Sequence, residues 1–63
     1  MLTTSQIEVI RWKANGKTTG EIAQIQNRSV NTVNSHIVNA LKATDTLNMN
    51  QLIAHCFRKG WIE

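Results

Sequence analysis

Four helix-start signals, spread over only 63 residues, leave this chain little choice of fold. Thr3 with Gln6, Thr18 with Glu21 and Asn48 with Gln51 each place a capping residue three positions ahead of Glu or Gln, the pattern in which two side chains satisfy exposed amides reciprocally. Ser29, ahead of a helical run containing Thr32, is a fourth cap without the reciprocal partner. Stop signals interleave with these starts, because Gly16 and Gly60 accept the left-handed backbone just past a helix at little cost. The expected architecture is all-α, a four-helix bundle with helices at about 4–15, 19–26, 30–44 and 49–59. No segment alternates apolar and polar residues long enough for a strand.

So short a chain is one domain, residues 1–63, with a compact core. Helical spacing turns Ile7, Ile10 and Ala14 inward on the first helix, with Val9 and Trp12 beside them. It turns Ile22, Ala23 and Ile25 inward on the second, and Val33, Ile37, Ala40 and Leu41 on the third. On the fourth it selects Leu52, Ile53, Cys56 and Phe57. The lone cysteine, Cys56, lies in that apolar stretch and reads as a small buried hydrophobe rather than a reactive thiol. No stretch is long and apolar enough for a membrane span and none resembles a signal peptide, so the expectation is a soluble, cytoplasmic protein with no membrane partner.

Net charge is a modest +3, but its distribution favours a polyanion. No acidic residue occurs from Ile22 to Lys42, and Lys17, Arg28 and Lys42 lie at or near the ends of that run. A short helix, a turn of about three residues and a longer helix with a polar outer face is the arrangement that fits a major groove. The outer face of the third helix carries Asn31, Asn34, Ser35, Val38, Asn39 and Lys42. Asparagine offers a donor beside an acceptor and can pair with adenine, serine can pair with several bases, and valine can touch the thymine methyl. Spacing alone also fits an ordinary solvated face.

Catalytic and metal chemistry find no constellation. His36, His55 and Cys56 are too few and too badly spaced for zinc, and the four carboxylates (Glu8, Glu21, Asp45, Glu63) form no pair. Neither a phosphate loop nor a nucleophile elbow occurs. The expectation is a non-enzyme without cofactor or metal.

Trp12, Gly16-Lys17-Thr18, Glu21-Ile22-Ala23, Ser29, Thr32-Val33-Asn34 and His36 together resemble the helix-turn-helix DNA-binding domain of LuxR-type (LuxR/FixJ/GerE) regulators. The resemblance runs from Leu2-Thr3 to Gly60-Trp61-Ile62. Trp12 with Gly16-Lys17-Thr18 is closest to the quorum-sensing branch, whose members bind acyl-homoserine lactones through an N-terminal domain. The resemblance implies the C-terminal module of a larger bacterial transcription regulator, with DNA bases facing Asn31, Asn34, Ser35 and Val38. It implies backbone contacts from Lys17, Thr18, Thr19, Gly20, Thr32 and Lys42. It also implies a homodimer on a pseudo-palindromic operator through Asn50, Ile53, Ala54 and Phe57, with RNA polymerase as a further partner. Alternatives are a sigma-factor-like promoter-reading domain and a small helical protein-interaction module docking through the fourth helix and Trp61.

The chain departs from the family's pattern at Gln6, where glutamate is usual, at Gln26 and Arg28, where leucine and isoleucine are usual, and at Ala43, Thr44 and Thr46. Gln26 and Arg28 set polar groups beside a turn that is normally apolar in the family. Arg28 is expected to lay its stem on the core with its head in water.

Overall fold

The computed structural model contains four helices, α1 (Thr4–Ala14), α2 (Thr19–Gln26), α3 (Val30–Thr44) and α4 (Met49–Arg58), and no strand. Two match the expected bounds; α1 and α4 each stop one residue early, at the caps Asn15 and Lys59.

All four starts are capped. Thr3 accepts the Gln6 amide at 3.1 Å while the Gln6 side chain accepts the Thr3 amide at 3.0 Å, and Thr18 with Glu21 repeats this at 3.2 and 2.9 Å. At α4 the pairing shifts by one residue: Asn48 accepts the Gln51 amide, but Gln51 reaches past it to the amide of Leu47, both at 2.9 Å. The stops are left-handed residues. Gly16 and Gly60 follow α1 and α4, while α2 and α3 end on Asn27 (φ 53°) and Asp45 (φ 54°), whose short polar side chains tolerate that region better than most. Asn27 turns the chain so that the Arg28 amide donates back to the Ala23 carbonyl at 2.9 Å, which makes residues 27–29 a closed, tight turn.

The core consists of two clusters that α1 joins. Ile10 enters the first, with Leu2, Ala40, Leu52, Cys56 and Ile62, while its neighbour Val9 enters the second, with Ile22, Ala23 and Val33. Fully burying a side chain of this size stabilises by roughly 1.5–3 kcal/mol. Both chain ends are fastened in the first cluster through Leu2 and Ile62, and Trp61 meets the His55 ring edge-on at 5.6 Å. Cys56 is wholly buried, and desolvation raises its thiol pKa, which keeps it protonated and unreactive at neutral pH.

Three expected core positions fall outside. Phe57 is 49% exposed because it lies roughly 120° around α4 from the centre of the buried pair Leu52 and Cys56. Ala14 is exposed because it is the last residue of α1, beyond the reach of the packed helices. Ile25 is 48% exposed because the buried arc of α2 is centred between Ile22 and Ala23, and at about 100° per residue Ile25 lies roughly 110° from that centre. Gln26 points almost at the centre instead, and its side-chain oxygen is buried with no hydrogen-bond partner.

Candidate nucleic-acid interface

The tight turn presents α3 as a ridge with two unlike sides. Val33 and Ala40 are buried and Ile37 and Leu41 partly so, whereas Asn31, Asn34, Ser35, Val38, Asn39 and Lys42 are all exposed. The residues singled out for base reading therefore share one outward face, and Val38 alone among them is a large apolar side chain, 47% exposed.

Local hydrogen bonds decide what these groups can offer a ligand. Ser35 donates its hydroxyl proton to the Asn31 carbonyl at 3.0 Å, so toward a ligand it is an acceptor, suited to the amino group of adenine or cytosine. Asn34 has no partner within the protein and keeps its donor and acceptor free. At the start of α3, Ser29 Oγ accepts the Thr32 amide at 3.1 Å and lies 2.9 Å from the Thr32 hydroxyl. When Ser29 donates in that second contact, the Thr32 proton is free for a phosphate oxygen.

The start of α2 forms a second group. The amides of Thr19 and Gly20 precede the first internal hydrogen bonds of the helix and have no partner in the protein. Gly20 leaves its amide uncovered. Thr18 and Glu21 are occupied with each other, and the bond from the Thr18 amide, then that with the Thr18 side chain, holds the Glu21 carboxyl below its ordinary pKa, with Lys17 contributing less. That carboxylate is thus ionised at neutral pH and offsets part of the positive potential of the α2 start. Lys17 is partly exposed beside it, and Lys42 is exposed in the last turn of α3.

On α4, Asn50 and Phe57 are exposed and Ile53 and Ala54 half-buried, forming one line along the helix. Ile53 also packs against the first core cluster, so it is not a purely surface residue.

Arg28 adds a contact to its expected arrangement. Its head is exposed but not free: Nη1 donates to His36 Nε2 at 2.8 Å, across the turn and one helical turn beyond Thr32. Sequence spacing carries no signal for a contact between residues eight apart that depends on how the turn closes.

A short helix, the closed turn at 27–29 and a longer helix with an exposed polar face define a helix-turn-helix domain. The chain belongs to the LuxR family of bacterial regulatory proteins, whose model matches residues 1–56. The transcriptional activator protein AnoR of Acinetobacter nosocomialis is 42% identical over 57 residues, 90% of this chain and 23% of AnoR. The regulatory protein SdiA of Escherichia coli is 42% identical over 55 residues, 87% of this chain and 23% of SdiA. VjbR of Brucella ovis, a quorum sensing-dependent transcriptional regulator, is 35% identical over 63 residues, 100% of this chain and 24% of VjbR. The chain thus spans about a quarter of the length of the curated relatives it matches. No helix is long and apolar enough to cross a membrane.

Proposed function

We propose that this chain is the sequence-specific, double-stranded DNA-binding module of a bacterial transcription regulator, with α3 in the major groove and no catalytic role. The observation that carries the reading is the outward face of α3, polar, unpaired at Asn34 and set in a stretch without a carboxylate. Asn31, Asn34, Ser35 and Val38 read base edges. Thr32, Lys17, Lys42 and the open amides of Thr19 and Gly20, with Thr18 holding that helix start, engage phosphates.

The longest dimension of the domain is 28 Å, shorter than the roughly 34 Å between successive major grooves on one side of B-DNA. A palindromic operator therefore takes two copies, paired through Asn50, Ile53, Ala54 and Phe57. One short helix offers far less than a standard interface, so pairing depends on DNA or on the rest of the regulator. The family's signal-binding role, an acyl-homoserine lactone in the quorum-sensing branch, and any contact with RNA polymerase belong to the full-length regulator in the bacterial cytoplasm.

Titrating the chain against a labelled duplex at several salt concentrations tests the reading. Affinity falls as salt rises, with a logarithmic slope of about 0.9 for each phosphate neutralised. A slope of zero would remove the electrostatic basis of the proposal. Gly20→Ala adds a methyl 4.0 Å from the Thr18 hydroxyl oxygen, an ordinary contact, and alanine favours helix over glycine by up to about 1 kcal/mol. The variant folds at least as well and binds DNA more weakly, because the methyl blocks the approach of a phosphate. Undiminished binding would move the phosphate contact away from the α2 start.

A further inference from the structure

We infer that Arg28 and His36 form a phosphate clamp along one rim of α3, an inference that rests on the DNA-binding reading and extends it to two residues outside the reading face. Arg28 stands in the turn before α3, and Thr32 and His36 follow on one flank of the helix, one turn apart. A helix seated in the major groove has a phosphate strand along each flank, so this column lies where one strand must pass.

The chemistry of the contact suits that position. Because an arginine can only donate, His36 Nε2 is the acceptor in this contact. Arg28 is therefore held in place without being neutralised, as it would be by a carboxylate. The acid-free run from Ile22 to Lys42 preserves that charge, and four of the five guanidinium donors remain for a bidentate grip on a phosphate. Holding the long side chain before DNA arrives removes part of the ordering cost of binding. A single exposed hydrogen bond contributes little to folding, so stability alone does not account for an arginine at this position.

The test compares salt titrations of the unchanged chain, Arg28→Ile, Arg28→Lys and His36→Ala on one labelled duplex of mixed sequence, with circular dichroism to verify folding. Arg28→Ile keeps its helical content and loses about one unit of salt slope. Arg28→Lys retains the slope but binds more weakly, having a point charge in place of the fork. His36→Ala leaves the slope in place and lowers affinity by several-fold, since it releases Arg28 without removing a charge. A full slope in Arg28→Ile would overturn the clamp and leave the DNA-binding reading standing. No slope in the unchanged chain would overturn that reading and the clamp with it.

Discussion

The cluster shared by α1, α3 and α4 holds six buried residues and takes in both chain ends through Leu2 and Ile62, whereas the cluster beneath α2 holds four, Val9, Ile22, Ala23 and Val33. The smaller one lies under α2, which carries the unpartnered Gln26 oxygen and the half-exposed Ile25 and runs into the polar turn that holds Arg28. The surface proposed to meet DNA is built on this smaller cluster. The difference separates the two demands on a domain of this size. One half supplies most of the apolar burial, and the other spends its side chains on polar groups, open amides and charge.

The comparison is broken most severely by removing a residue from the larger cluster. Leu52 is fully buried, so Leu52→Ala costs roughly 2–5 kcal/mol, a large fraction of what so short a chain has. Thermal denaturation shows the domain losing cooperative unfolding or most of its Tm, with DNA binding lost only to the extent that the domain unfolds. Binding abolished in a fully folded variant would show that the larger cluster is not purely structural.

A smaller effect of opposite sign sharpens the comparison. Leaving a buried acceptor unpaired costs about 1–3 kcal/mol, and leucine at position 26 removes the acceptor while keeping a side chain of similar size in the buried arc of α2. Gln26→Leu therefore raises stability by about 1 kcal/mol, measured as a higher denaturation midpoint at unchanged denaturant dependence. DNA affinity stays as it was, because the oxygen lies inside. Lower stability would mean that the Gln26 amide makes a favourable contact that outweighs its unpaired oxygen.

Much of this arrangement is legible in the residues, and the limits have physical causes. Capping is local, so all four helices start where expected, while the ends of α1 and α4 differ by one residue. The outward face of α3 is legible for the same reason, since a helix fixes which residues share a side. Burial is less local. Ile25 has helical spacing from Ile22, yet Ala23 draws the buried arc the other way, and Ala14 has the right phase on a helix that ends there. α1 serves two clusters with the adjacent residues Val9 and Ile10, which a single inward stripe does not describe. At the proposed interface the residue types could be chosen from the pattern, but not the state of their hydrogens. That Ser35 has used its proton on Asn31, and that Arg28 has found His36, depends on atoms brought together only by the fold.

The central claim is that the exposed face of α3 reads bases, and Asn34, unpaired and outward, is the residue on which it bears most directly. Selection of binding sites from a randomised duplex pool, performed with the unchanged chain and with Asn34→Ala, tests it. The unchanged chain enriches a defined half-site. The variant keeps the folded structure and the salt dependence but relaxes the preference at one or two base pairs, at a cost of about 1–3 kcal/mol on the preferred site. An identical enriched site from both proteins would contradict the account and place the reading surface elsewhere.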